Sequence, residues 1–261
     1  METTDPGTPP SQPAASWLAE ASLRPPATRS RAASQRPAES VVRLILDEAK
    51  TALADLADPA RAVQQQAYMK SAMPYRGVTM PRIRRLVMNL ARRHRPDLET
   101  IRAASRQLWD DAAWREERHV AIGLTGLKPA HGRIELVELY QYQATSGAWW
   151  DYVDRIAHRV AVLHEVHPAE TAALARSWSS ASSLWLRRLA IIGQLRRGAR
   201  TDTELLAEVI RANAEDREFF IRKAIGWALR DYAYTDPDWV RRFTSEVELS
   251  TLSRREALKH I

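Results

Sequence analysis

The segment RHVAIGL (residues 118–124) is the first of five short stretches that can be aligned with one another on an alanine. The other four are DRIAHRV (154–160), RRLAIIG (187–193), RKAIGWA (222–228) and REALKHI (255–261). Their alanines, Ala121, Ala157, Ala190, Ala224 and Ala257, lie 36, 33, 34 and 33 residues apart. A period of this length is typical of stacked helix pairs, and a small residue at one place in each repeat lets neighbouring helices approach closely.

The chain before these segments also follows a helical period. Val42, Ile45, Ala49 and Leu53 recur at steps of three and four residues, and Pro81 stands where a further helix should start. No alternating run of β-branched residues longer than four is bounded by turn signals, so we expect strands to be absent or trivial. The sequence therefore predicts an all-α fold, a HEAT-like or TPR-like, right-handed helical-repeat α-solenoid from about residue 40 onward with one concave face.

Composition excludes several classes of protein and favours an anionic partner. The 261 residues carry 39 Lys and Arg against 32 Asp and Glu, a formal charge of +7, with a sequence pI near 10.0. A basic surplus of this size fits nucleic acid, although composition alone is weak support. There is no cysteine, which excludes disulfides, thiolate metal sites and a cysteine nucleophile. The seven histidines show no metal-ligand spacing, and no apolar run reaches the roughly 18 residues that span a bilayer.

The first 37 residues differ in composition from the rest. They hold seven of the fourteen prolines, separated mainly by Ser, Thr, Ala and Arg. Such a stretch buries too little apolar surface to offset its ordering entropy, so we predict a disordered tail at 1–37 and one domain at 38–261. Four arginines make a transit peptide conceivable, but Glu2, Asp5 and Glu20 argue against it.

The densest chemical signal is SGAWWDYVD (146–154). Trp150 and Asp154 are four residues apart, so on a helix they project from the same face, one turn from each other. An indole face and a carboxylate placed side by side both stabilise positive charge. The alternative is that Trp149 and Trp150 are core aromatics and that Asp154 forms a salt bridge with Arg155 or Arg188.

The following repeats place basic and aromatic residues in equivalent positions. Arg187 and Arg188 belong to one repeat, and Arg222 and Trp227 belong to the next. If equivalent positions line one face, these residues converge with Trp150 and Asp154 on a groove in which arginines could bind phosphates bidentately. The alternative is that Arg188 and Arg222 form ion pairs within the solenoid, with Asp154, Asp231 or Glu218.

Several longer phrases resemble the AlkD-type DNA alkylation repair glycosylases over roughly residues 60–261. They are YMKSAMPYRGV (68–78), PRIRR (81–85), SGAWWDYVD (146–154), WLRRLAI (185–191), FFIRKAIGWALRDY (219–232) and LSRREALKHI (252–261). The resemblance implies a HEAT-like solenoid that cradles duplex DNA in its concave face and excises N3- and N7-alkylated purines without a base-flipping pocket. It places the catalytic residues at Trp150, Asp154 and Trp227, and DNA contacts at Tyr68 and Arg188, to which Lys70, Arg187 and Arg222 are added as further expected contacts.

These expectations define a function and its competitor. The expected partner is double-stranded DNA with alkylated bases, bound by a monomer in the cytoplasm with the nucleoid, without a metal, an organic cofactor or a membrane. The competing hypothesis is a non-catalytic HEAT-repeat protein that binds DNA or serves as a protein scaffold. Loss of Trp150 or Asp154 would have favoured that hypothesis, and both residues are present.

Overall fold

The computed structural model describes the backbone of residues 31–261 and side chains from Glu39 onward. Throughout this part of the chain the regular structure is helical, and it contains no strand, as predicted. Its thirteen α-helices are α1 Arg31–Asp55, α2 Pro59–Met69, α3 Met80–His94, α4 Leu98–Asp110, α5 Arg115–Leu124, α6 Val137–Gly147, α7 Trp150–Val166, α8 Pro168–Ser179, α9 Leu184–Ile192, α10 Thr203–Arg211, α11 Phe219–Ala233, α12 Pro237–Glu246 and α13 Thr251–Ala257.

The helices from α3 onward are arranged in two layers. In the first layer α3 packs on α5, α5 on α7, α7 on α9, α9 on α11 and α11 on α13. We call this the odd layer. The even-numbered helices cover it, with α4 against α5, α6 against α7, α8 and α10 against α9, and α12 against α11. Stacked helix pairs of this kind are the predicted helical-repeat architecture.

The five alanines that define the sequence period lie on α5, α7, α9, α11 and α13, the successive helices of the odd layer. All five are buried, with no more than 4% of any one exposed. Gly226 shows how close the packing is, since a Cβ atom on it would lie 2.4 Å from Cβ of Glu256 in α13. The small residues therefore set the spacing of the odd layer, and the predicted repeat is confirmed.

Helix starts follow local sequence signals. Pro81 is in the first turn of α3, as predicted, because proline has no N–H to lose there. Pro59 opens α2, and the Asp58 side chain caps this helix by accepting from the Arg61 N–H at 3.0 Å.

The predicted tail lies largely outside the described residues. Residues 1–30 are outside the described residues, and α1 begins at Arg31, before the predicted boundary at residue 38. Within residues 31–261 no helix is long and apolar enough to cross a membrane.

Candidate active site

A tight turn between α6 and α7 fixes the position of Trp150. Gly147 ends α6, and a Cβ atom on it would lie 2.8 Å from the rings of Trp109 and Tyr152. Ala148 then adopts a left-handed φ of +44°, and the extended Trp149 leads into α7, which starts at Trp150. The turn places Trp150 on the first turn of α7 and Asp154 on the second.

The two neighbouring tryptophans have different environments. Trp149 packs into an aromatic cluster, with ring centroids 6.2 Å from Trp185 and 5.7 Å from Phe220. That cluster fastens the turn onto α9 and α11. Trp150 is half-buried like Trp149 and also packs against the core, but it lines a cavity as well. The core interpretation therefore fits both rings in part, and Trp150 is the one of the two that a ligand in this cavity can reach.

The cavity beside Trp150 has a volume of about 380 Å³ and brings three of the predicted residues together. Trp150 and Asp154 line it from α7, and Tyr68 lines it from α2. Tyr68 is 78% exposed. Much of the remaining wall is apolar, and includes Met69, Val78 and Met80. A carboxylate thus meets two aromatic rings in a largely apolar recess that opens to solvent.

Arg188 holds the Asp154 carboxylate from α9. Its Nε donates to Oδ1 at 2.8 Å and its Nη2 donates to Oδ2 at 3.0 Å, a bidentate geometry that also fixes the direction of the carboxylate. Burial raises the pKa of Asp154 to about 6, although the Arg188 guanidinium acts in the opposite direction. Asp154 is therefore ionised at neutral pH but poorly solvated, which strengthens its interaction with any positive charge that develops nearby.

Arg188 itself is only 5% exposed. Besides its two bonds to Asp154, its Nη1 donates to the Phe220 carbonyl oxygen at 2.7 Å. The structure thus contains the ion pair that the sequence left open as an alternative. With these donors engaged and the side chain buried, the guanidinium is placed to orient Asp154 rather than to meet a DNA phosphate.

The other predicted residues do not line the cavity of Asp154. Arg187 and Arg222 line a second cavity, of about 980 Å³, in which Asp216 accepts from Arg187 Nη2 at 3.1 Å. Trp227 is half-buried on α11, two helices along the odd layer from α7. Lys70 is exposed at the left-handed C-cap of α2, just beyond the cavity wall. The expected convergence of all these residues on one groove is thus only partly realised.

Sequence reasoning missed a charged network in the wall of the same cavity, which Asp151 and His119 also line. Asp151 accepts from Arg115 Nη2 at 2.5 Å, and its other oxygen lies 3.2 Å from His119 Nε2. Burial alone would raise the pKa of Asp151, but His119 and Arg115 outweigh burial and lower it. Burial also lowers the pKa of His119. Arg115 and His119 lie on α5, so this network ties α5 to the first turn of α7, and no short motif signals a pairing across 36 residues.

Comparisons with known proteins agree with this architecture. A family profile described as DNA alkylation repair enzyme matches residues 49–261. A solved structure described as a predicted DNA alkylation repair enzyme from Enterococcus faecalis is 31% identical, with a TM-score of 0.72 over 78% of this chain and 96% of that one. No curated protein matches the chain.

Two more distant structures share the fold. AlkD2 from Streptococcus mutans is 18% identical, with a TM-score of 0.58 over 77% of this chain and 99% of its own. The protein smu.31 from Streptococcus mutans UA159 is 19% identical, with a TM-score of 0.56 over 70% of this chain and 92% of its own.

Proposed function

Since the chain belongs to the DNA alkylation repair enzyme family, we propose that it is a DNA glycosylase that hydrolyses the N-glycosidic bond of N3- and N7-alkylated purines in duplex DNA. The observation that carries this proposal is the placement of Asp154. Its carboxylate shares a solvent-accessible, largely apolar cavity with Trp150 and is held there in one orientation by Arg188.

The chemistry of the lesion suits such a site. An N3- or N7-alkylated purine carries a positive charge, so the base departs with the bonding electron pair as a neutral molecule and needs no general acid. The positive charge then shifts to the deoxyribose, which becomes oxocarbenium-like. The ionised Asp154 stabilises that charge and orients the attacking water, whose oxygen bonds to C1′ and whose proton leaves through the carboxylate or solvent.

The aromatic residues act on the sugar and backbone. Trp150, one helical turn from Asp154, presents its electron-rich face to the cationic sugar. Trp227 packs against the DNA backbone further along the odd layer, and Tyr68 approaches the DNA from α2. This mechanism acts on the sugar and needs no pocket that encloses a flipped base, and it uses no metal or organic cofactor.

Binding to the duplex relies on charge. Lys70 and Arg222 are the proposed contacts to phosphates, and the overall charge of +7 supports association with DNA. Arg187 donates to Asp216 and to the carbonyl oxygens of Ala181 and Ser182, so like Arg188 it is engaged within the protein and is not proposed as a phosphate contact. Arg188 acts through Asp154. The protein works as a monomer on the DNA of the cell.

Release of free base from methylated duplex DNA tests the proposal. Purified protein should release 7-methylguanine and 3-methyladenine in a single turnover. Asp154→Asn should excise on the order of 10²–10³ times more slowly while binding duplex DNA with nearly unchanged affinity, because the carboxylate matters when the sugar becomes cationic.

Melting curves recorded beside the rates separate catalysis from folding. A folded Asp154→Asn variant that excises at the wild-type rate contradicts the assignment of Asp154. Tight binding to duplex DNA without base release from any alkylated substrate would instead support the non-catalytic alternative.

A further inference from the structure

A third cavity, which is strongly basic, adjoins the candidate active site. It has a volume of about 620 Å³ and lies between α3, α5 and α7, with the chain after α9 at its edge. Four arginines line it, and no Asp or Glu is among its lining residues. They are Arg84 from α3, Arg155 and Arg159 from α7, and Arg196.

The two arginines of α7 have no acidic partner among the described residues. Arg155 and Arg159 are both half-buried and lie one helical turn apart. Nη1 of Arg155 donates to the Met80 sulfur at 3.5 Å, and a thioether sulfur is a weak acceptor. Nε of Arg159 is buried without a hydrogen-bond partner in the described part of the chain. Such groups are costly to bury unless a ligand completes them.

Three other arginines of the odd layer are paired with carboxylates. Arg115 pairs with Asp151, Arg188 with Asp154, and Arg230 with Glu256 at 2.6 Å. At the edge of the basic cavity, the Asp231 carboxylate accepts a hydrogen bond from the backbone N–H of Arg196 and not from its guanidinium. Burial, followed by the neighbouring charges of Arg159 and Arg84, lowers the pKa of Arg155 to about 10. The cluster is therefore mutually repulsive and lacks a negative charge.

The floor of the cavity is built to admit guanidinium groups. Gly126 lies just after α5, and a Cβ atom there would lie 2.2 Å from Nη2 of Arg159. Gly123, also in the lining, is close to Val87 of α3, since an added Cβ would lie 2.7 Å from Val87 Cγ2. Gly126 therefore gives the Arg159 guanidinium room to lie against the chain just after α5.

The basic cavity and the cavity of the candidate active site are neighbours that share part of their walls. Met80, Arg155 and His158 line both. Arg155 also directly follows Asp154 in sequence, so a ligand that extends from one cavity into the other passes from the carboxylate to the arginines. A nucleic-acid strand has this alternation, because a deoxyribose that becomes cationic is flanked by phosphodiesters that are anionic.

We propose that Arg155 and Arg159, with Arg84 and Arg196 at the rim, bind a backbone phosphodiester directly adjacent to the deoxyribose that reacts at Asp154. This inference rests on the proposed function for the identity of the neighbouring sugar. The guanidinium groups suit bidentate contact with phosphate oxygens. They fix the register of the damaged strand, so that the sugar of the lesion and not that of its neighbour faces Trp150.

Duplex binding at several salt concentrations tests phosphate contact without reference to excision. For the double variant Arg155→Gln/Arg159→Gln, the slope of log Kd against log salt should fall by about 0.9 for each phosphate that the variant no longer neutralises. The matched control is Arg102→Gln. Arg102 is exposed on α4 and sits 3.8 Å from Glu99, so this variant removes a positive charge from the other layer and should alter affinity very little.

The position of the phosphate is tested with a duplex that carries a tetrahydrofuran abasic-site analogue. Each phosphodiester near the analogue is replaced in turn by an uncharged methylphosphonate. Wild-type protein should bind about tenfold more weakly when one linkage directly flanking the analogue is replaced, as expected for a charge-assisted hydrogen bond. The double variant should show no further weakening there, because its arginines no longer reach that linkage.

Two further measurements distinguish the loss of a phosphate contact from misfolding. Gly126→Ala keeps every charge but pushes the Arg159 guanidinium away, so it should weaken binding several-fold while circular dichroism stays wild-type. Melting temperatures of all variants report folding.

Three results would overturn the inference. One is an unchanged salt slope in the folded double variant, and another is coupling to a linkage remote from the analogue. The third is a double variant that binds duplex DNA with wild-type affinity but, unlike wild-type protein, gains no melting temperature from added inorganic phosphate. That result would assign the cavity to a free anion. Failure of the proposed glycosylase would instead appear as absent base release with the salt result intact.

Discussion

At the scale of single residues, the proposed role of Asp154 predicts that excision depends on pH. Its pKa is raised from 3.8 to about 6, chiefly by burial, so the carboxylate loses its charge below about pH 6. Single-turnover excision should rise with pH up to about 6, tenfold per unit at most, and then level off. His158, whose pKa is lowered by burial, also lines the cavity, and the assignment of the inflection to Asp154 predicts that it persists in His158→Gln. A rate that stays constant from pH 5 to 8 would contradict this account.

The same shift fixes how Asp154 affects stability. Because its pKa is higher in the folded than in the unfolded chain, folded protein retains the proton more tightly. Its contribution to stability is present below about pH 4 and is lost as the pH rises to about 6. The candidate carboxylate therefore costs stability at the pH at which it works, as is common for active-site groups.

Arg188 offers a second test at this scale, because its placement predicts a positioning role. Arg188→Ala removes the bidentate partner of Asp154 but leaves the carboxylate buried. We expect the inflection of the pH profile to move upward and the rate at pH 7 to fall, with duplex affinity nearly unchanged. Arg188→Lys, which keeps a positive charge beside Asp154, should move the inflection only part of the way upward. If Arg188→Ala instead weakens DNA binding and leaves the pH profile alone, the phosphate contact suggested by sequence resemblance is the better description.

At the scale of helices, Asp151 links α5 to α7. Asp151→Asn should leave Arg115 buried without a full counter-charge, at a cost of about 3 kcal/mol. For a domain of this size the melting temperature should fall by roughly 6–12 °C. Since the pKa of Asp151 is lowered, the wild-type advantage should be present at neutral pH and disappear as the pH falls through the acid range. Asp238→Asn, in an exposed pair with Arg241, is the control and should melt like wild type.

The helices also show how far sequence reasoning reached. The alanine period located the odd layer because a close helix contact requires a small residue at Ala121, and the same requirement recurs in each repeat. The four-residue spacing of Trp150 and Asp154 placed both correctly on one face of α7. Pairings between distant helices were out of reach, since the contact of Asp151 with Arg115 depends on the stacking of α5 on α7 and not on local pattern. For the same reason the separation of Arg187 and Arg222 from the cavity of Asp154 was not foreseen.

At the scale of the whole molecule, the final prediction concerns the Pro-rich N-terminal segment. We expect a chain that starts at Glu39 to keep the melting temperature and the excision rate of the full chain. The side chains that line the candidate active-site cavity and the basic cavity begin at Gln65, well inside the retained part. The removed residues carry four arginines and three carboxylates, so the charge would fall only from +7 to +6. The salt dependence of duplex binding should therefore be nearly the same.

Truncation at Glu39 cuts within α1, so folding must be measured together with activity. The core residues of α1 start at Val42, which is 6% exposed, and Ile45, which is fully buried, and both are retained. A chain that starts at Ala52 serves as the comparison. It lacks the buried residues Val42, Ile45 and Ala49, so it should melt several degrees lower. If the chain from Glu39 melts as low as the chain from Ala52, the domain begins earlier than residue 38. If it melts normally but binds duplex DNA much more weakly, the N-terminal segment takes part in binding despite its small net charge.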